Sequence, residues 1–196
     1  MVIDFSKKRV FIAVNLDNKI RDYISTIQGD VINVEDSQIK IKMVENSNLH
    51  ISLKFLGDLN SLEIEKILIA LQKVSFKTNS FNISLSKGIG VFPNSKKPRV
   101  LWIGIEKGAE ELKRIHYFIE QELINESFYI REKIFTPHIT LGRIKYIKYP
   151  SKLIELENNI KYKDISQKII SIDFMESNLT SKGPIYNKIS YFPFLQ

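Results

Sequence analysis

The feature that most constrains this chain is a short sequence that occurs twice. Leu49-His50-Ile51-Ser52-Leu53 is matched by Pro137-His138-Ile139-Thr140-Leu141; each contains His, Ile, a hydroxyl residue and Leu. The copies lie a little under half of the 196-residue chain apart. This spacing predicts an internal duplication with one motif in each of two lobes. Side chains alternate between faces along a strand with period 2. Leu49, Ile51, Leu53 and Phe55 then share one face, toward the core, and His50, Ser52 and Lys54 share the other. In the second copy Ile139 and Leu141 turn inward while His138 and Thr140 turn outward together. Each copy is expected to be a rigid strand that displays an imidazole beside a hydroxyl.

Two such strands face to face make a cleft with two imidazoles and two hydroxyls, which suits in-line displacement at phosphorus. One histidine takes a proton from the attacking oxygen and the other gives a proton to the leaving oxygen. Ser52 and Thr140 can donate hydrogen bonds to nonbridging phosphate oxygens. Histidine serves both proton roles because its ordinary pKa lies near neutrality. A lone His-x-Ser/Thr is usually an unremarked strand histidine. A pair with matching context, parity and apolar bracketing is hard to obtain by accident.

Composition narrows the alternatives. With no cysteine, disulfides, thiolate metal sites and cysteine nucleophiles are excluded. His50, His116 and His138 are the only histidines, and they lack the spacings of a zinc site, so neither metal nor cofactor is expected. His116 lies on the apolar stripe of a helix and is expected to be packed and hydrogen-bonded. The net charge of +7 suits an anionic partner, although it also serves solubility. No stretch approaches the length of a membrane span, and the opening residues lack an apolar signal region, so a cytoplasmic location is the expectation.

Strands are expected at 9–15, 39–43, 49–55, 81–85, 100–106 and 137–143, with two more at 168–175 and 185–192. Asp17 precedes a helical stripe of Ile20, Tyr23, Ile24, Ile27 and Val31. Asn60 or Ser61 opens a second helix, Leu112 to Leu123 marks a third, and Lys152 to Asn159 a short fourth. Gly88 to Arg99 reads as a loop. Interspersed elements without strict βαβ rhythm favour an α+β fold: two similar lobes of mainly antiparallel sheet, helices outside, related by a pseudo-two-fold duplication around a central cleft.

With these residues in hand, the chain resembles the 2H phosphoesterase superfamily, and within it the RNA 2′,3′-cyclic phosphodiesterases, also called 2′-5′ RNA ligases. Arg9-Val-Phe-Ile-Ala-Val resembles the family's opening strand and Asn48 to Gly57 its first motif region. Gly90-Val-Phe-Pro93 with Pro98 to Trp102 resembles the middle segment, and Phe135 to Arg143 the second motif region. Ser177 to Tyr186 resembles the closing hairpin. Ser52 stands where threonine is commoner, and keeps the hydroxyl. The resemblance implies one domain over residues 1–196, made of two interleaved lobes. It implies metal-independent opening of 2′,3′-cyclic phosphates of RNA ends or nucleotides to 2′-phosphates. It further implies that His50 protonates the leaving 3′ oxygen, that His138 activates water, and that Arg143 binds phosphate with Ser52 and Thr140. A monomer is the default for such a self-contained fold.

Strict parity puts Arg143 opposite His138, so it reaches the cleft only if the strand twists or ends at Gly142. Lys54 holds the substrate backbone or is a solvated lysine. Phe92 either stacks on a base or packs, whereas Trp102 is expected in the core. Lys96, Lys97 and Arg99 form a basic loop patch. Other readings are a phosphodiesterase for 2′-5′ oligonucleotides or a small cyclic phosphate, and a nucleotide-binding module without turnover. Two proton-transfer groups argue against the latter.

Overall fold

The computed structural model describes residues 7–128, 134–181 and 183–196; the opening residues 1–6 lie outside that range. The chain runs β1 (Lys8–Asn15), α1 (Asn18–Ile32), β2 (Ile39–Met43), a 3₁₀ turn (Asn46–Asn48), β3 (His50–Leu59) and α2 (Ser61–Ser75). It continues through β4 (Phe81–Phe92), β5 (Val100–Ile105), α3 (Ala109–Asn125), β6 (His138–Ile147) and α4 (Ser151–Asn159). It ends with β7 (Ser166–Ile169), β8 (Ser171–Leu179) and β9 (Pro184–Pro193). No helix among the described residues is long and apolar enough to cross a membrane.

Local chemistry explains the helix starts. The Asp17 carboxylate accepts the Ile20 amide at 2.8 Å and caps α1, whose predicted apolar stripe is buried. Asn60 and Glu63 close a reciprocal capping box at the start of α2. Before α3, Gly108 has φ 81°, and a Cβ there would lie 2.7 Å from the Asn82 carbonyl oxygen. Only glycine fits that entry.

The strands pair in the order β7-β4-β5-β6-β3-β1-β8-β9, with β2 also beside β6. All these pairings are antiparallel. One edge of β6 is lined by β5. Its other edge meets β3 at the single pair Ile51–Ile139 and then takes β2. The sheet is therefore two lobes joined at one residue pair: β2, β4, β5, β6 and β7 in one, β1, β3, β8 and β9 in the other. Helices α2 and α3 pack together, α2 against β8 and β9 and α3 against β3. Helix α1 follows β1 in sequence but lies on the other lobe, where Gln28 donates to the Val44 and Leu141 carbonyls at 2.8 and 2.9 Å. The lobes are thus interleaved. The order strand–helix–histidine strand–helix occurs twice, as β1-α1-β3-α2 and β5-α3-β6-α4, with β2 inserted in the first.

Three sequence expectations are corrected. Gly88 to Phe92 is strand, not loop, because glycine at 90 lets the Trp102 indole lie across the backbone; a Cβ there would sit 2.1 Å from the ring. The C-terminal region has three strands, not two, because β7 pairs with β4 before the chain turns into β8. The third correction concerns parity in β3. Register shifts against β1 leave Leu53 and Leu56 without partners, which makes two bulges. Lys54 is consequently buried at 2% exposure and Phe55 is 44% exposed, the reverse of the alternation expected for an unbroken strand. Lys54 pairs with Glu120 of α3, and His116 of α3 donates through Nδ1 to the bulged Leu53 carbonyl at 2.8 Å. Lys54 therefore does not share the face of His50. His116 is packed and hydrogen-bonded as expected, and its ring also stacks on Phe135.

Candidate active site

The Ile51–Ile139 pair sits at the centre of the site. Because β3 and β6 run antiparallel there, extending the register by one residue sets His50 opposite Thr140 and Ser52 opposite His138. Both motifs thus meet at one junction, across one local two-fold relation.

The two rings are held alike. His50 Nδ1 lies 2.7 Å from the Asn48 carbonyl, and His138 Nδ1 lies 2.7 Å from the Thr136 carbonyl, two residues back in each case. A carbonyl only accepts, so each Nδ1 carries its proton, and Nε2 is the nitrogen left to exchange one. His50 Nε2 is 2.8 Å from the Ser52 hydroxyl. That hydroxyl donates when the ring is neutral and accepts when it is protonated.

Aromatic pairs brace both rings. Phe11 and Tyr186 lie 5.1 and 5.3 Å from the His50 centroid, Tyr186 edge-on. Phe92 and Trp102 lie 5.0 and 5.8 Å from that of His138, and stack on each other at 5.0 Å. Trp102 is therefore half-buried on the cleft face rather than in the core where the sequence placed it. Its indole N–H has no hydrogen-bond partner among the described residues.

Burial is the largest influence on both imidazoles and pushes each below the ordinary histidine value, because a charged ring loses hydration in this apolar setting. The Asn48 and Thr136 carbonyls oppose that shift. His50 is lowered further by the charges of His138 and Arg21, which places all three in one electrostatic neighbourhood.

Arg143 reaches the cleft face because of a bulge, not the twist at Gly142 that strict parity demanded. Leu141 is skipped in the pairing with β5, so Gly142 is buried and Arg143 is exposed, in phase with His138 and Thr140. Arg143 and Arg9 both offset the burial that raises the Tyr186 pKa, so cations from opposite lobes approach the same phenol. Arg21, from the first turn of α1, has a buried Nε without a hydrogen-bond partner among the described residues. Lys96, Lys97 and Arg99 are exposed on the loop between β4 and β5.

Sequence reasoning missed Phe11, Tyr186, Arg9 and Arg21. They stand on neighbouring strands or on α1, and nothing in the repeat marks them. The available signals were the family resemblance, which took in Arg9, Phe11 and Tyr186 without giving them a role, and β1 itself, where Val10 to Val14 is apolar throughout, as in a strand covered on both faces. Among the described residues no group of three His, Asp or Glu side chains is placed to hold a metal ion.

Two interleaved antiparallel lobes, each presenting an imidazole and a hydroxyl to a shared cleft, define the architecture of a two-histidine phosphoesterase. The sequence pattern described as LigT like Phosphoesterase matches residues 14–102 and again 103–186, and the chain belongs to that family. Its two matches divide the chain as the repeated motif does. The RNA 2′,3′-cyclic phosphodiesterase of Methanothermobacter thermautotrophicus is 34% identical over 187 residues, covering 95% of this chain and 98% of that protein. A protein of the same name from Aquifex aeolicus is 34% identical over 188 residues, covering 94% and 96%. Among solved structures, TT0787 of Thermus thermophilus superposes with TM-score 0.74 at 25% identity, covering 95% of this chain and 97% of that one. LigT of E. coli complexed with phosphate shares the fold, with TM-score 0.71 at 18% identity and coverage of 97% and 99%.

Proposed function

We propose that this chain is a hydrolase that opens 2′,3′-cyclic phosphates at RNA ends or on nucleotides, leaving a 2′-phosphate. The observation that carries the reading is the pair of alike-held imidazoles on adjoining strands, each with Nδ1 fixed on a carbonyl. The relatives named RNA 2′,3′-cyclic phosphodiesterase at 34% identity support the substrate class.

In this reading neutral His138 removes a proton from water through Nε2 as the water oxygen bonds to phosphorus. The bond from phosphorus to the 3′ oxygen breaks, and protonated His50 delivers its Nε2 proton to that oxygen. Ser52, Thr140 and Arg143 meet the charge that builds on the nonbridging oxygens. Proton exchange with solvent then restores both rings. All the polar work is done by side chains, without metal or cofactor. Residues 1–196 act as one domain, an inference supported by α1 following one lobe and packing on the other. The protein acts as a cytoplasmic monomer.

The test is to incubate the protein with a mononucleotide 2′,3′-cyclic phosphate and with an oligonucleotide ending in one. Ring opening of either, lost in His50→Ala and in His138→Ala, is the expected result. Binding without turnover would instead identify a nucleotide-binding module.

A further inference from the structure

The bulged segment of β3 inverts the usual partition of side chains, burying a lysine and exposing a phenylalanine. The inversion is held from behind. Glu120 pairs with the Lys54 ammonium and His116 donates to the Leu53 carbonyl, both from α3. Its product is an aromatic surface on the cleft face of the lobe that carries His50. Phe55 pairs across the strands with Phe11, which packs against His50 and Tyr186. The Arg9 guanidinium lies over the Phe55 ring, 4.9 Å from its centroid. Arg9 is exposed and has no ion pair with a carboxylate among the described residues, whereas the adjacent Lys8 is paired with Glu176.

We propose that Phe55 and Arg9 form a subsite for the penultimate nucleotide of a single-stranded RNA, the one 5′ of the nucleotide that bears the cyclic phosphate. The inference rests on the cyclic-phosphate reading above and adds where the rest of the chain lies. Asn15 and Phe11, the β1 partners of His50 and Phe55, are separated by roughly 13 Å of strand. That span leaves room for the terminal nucleoside between the reacting phosphorus and the Phe55 ring. A base stacks on an aromatic ring or on a guanidinium plane, and the guanidinium N–H groups reach a phosphodiester oxygen. Lys54 in that place would have supplied charge without a stacking surface. The electrostatic reach of Arg9 to Tyr186 ties the subsite to the wall of the His50 pocket.

The experiment measures kcat/KM of the full chain on uridine 2′,3′-cyclic monophosphate and on a short oligouridylate ending in a 2′,3′-cyclic phosphate. The wild-type protein should prefer the oligonucleotide. In Phe55→Ala and in Arg9→Gln the ratio of oligonucleotide to mononucleotide kcat/KM should fall about tenfold, through a raised KM on the oligonucleotide. Phe55→Trp, which keeps a stacking face, should restore the ratio. A ratio within twofold of wild type in Phe55→Ala would overturn the subsite, as would a wild-type protein that favours the mononucleotide. Fluorescence anisotropy with a labelled oligouridylate ending in a 2′-phosphate reads binding without turnover. Phe55→Ala should bind it about tenfold more weakly, and equal affinity would overturn the proposal. Failure of the wild type to open either cyclic phosphate would refute the cyclic-phosphate reading, and the binding measurement would still decide the subsite.

Discussion

Burial that lowers both imidazoles has a direct consequence for the pH dependence of turnover. The free enzyme needs one ring neutral and the other protonated. Both protons leave below the ordinary histidine value, so kcat/KM should peak below pH 6.5. It should fall on the alkaline side as the acid loses its proton and on the acid side as the base gains one. A bound phosphodiester anion favours the protonated rings, so the kcat profile should peak at higher pH than that of kcat/KM. The two limbs belong to the pair, not to either ring. Parallel pH–rate profiles check this, and a kcat/KM optimum above about pH 7 would contradict it. His50→Ala and His138→Ala should each lower kcat by about 10² to 10⁴, and the double variant by far less than their product. Single-turnover kinetics on the three variants is the measurement. At this scale the histidines and hydroxyls were legible because a repeat exposes shared parity. Arg143 was legible only through the family resemblance, since a bulge that no local sequence announces decides which way it points. Arg9 and Tyr186 come from distant elements, and their approach to the site is a property of strand order.

Most elements were legible from periodicity and caps: Asp17 and Asn60 begin helices where the sequence places them, and the Ile20 to Val31 stripe is buried. What escaped was regularity within strands. In β3 and β6 the alternation reverses at a leucine, after Leu53 and at Leu141, and the residues beyond change sides. Pattern reading assumes an unbroken period of two, and a bulge is stabilised by groups far away in sequence, here His116 and Glu120 of α3. Keeping Phe55 outside forgoes about 2 kcal/mol of apolar burial, so local hydrophobicity alone pointed the wrong way. Gly88 to Phe92 was misread for a related reason, because glycine ordinarily marks a turn whereas Gly90 makes room for an indole. Gly90→Ala should therefore cost about 1–3 kcal/mol by displacing Trp102. In a Trp102→Ala background most of that cost should vanish. Chemical denaturation of the four proteins closes the cycle, and an equal cost in both backgrounds would separate Gly90 from the stack.

For the molecule as a whole, the repeated tetrapeptide was enough to foretell two lobes, and the single Ile51–Ile139 junction shows how they meet. Interleaved lobes were expected from the family resemblance alone; that α1 crosses between them was not legible, because sequence order does not say which lobe a helix covers. The chemistry should need no divalent ion, since the two imidazoles and their hydroxyls supply the proton transfers, and among the described residues no carboxylate cluster is placed to hold one. Turnover should survive exhaustive EDTA treatment, and loss on chelation with recovery on adding a divalent ion would contradict that. The pseudo-two-fold arrangement leaves one question that only the substrate resolves. Two like imidazoles could act in either order, but the lobes around them differ: Phe11 and Tyr186 flank His50, with Arg9 farther along that lobe over Phe55, while Phe92 and Trp102 flank His138 and Arg143 follows it on the same strand. In-line displacement requires the leaving oxygen to lie opposite the attacking water, on the side of the protonated ring. With the 3′ oxygen toward His50, water enters beside His138 and the product is a 2′-phosphate. The reverse placement would give a 3′-phosphate and would swing the base and the RNA chain into the other, chemically different lobe. A cleft with unlike walls accepts one of these poses, and the product should be a 2′-phosphate almost exclusively. Phosphorus NMR of the product decides it: a 3′-phosphate or an even mixture would refute the orientation while leaving the two-histidine mechanism intact.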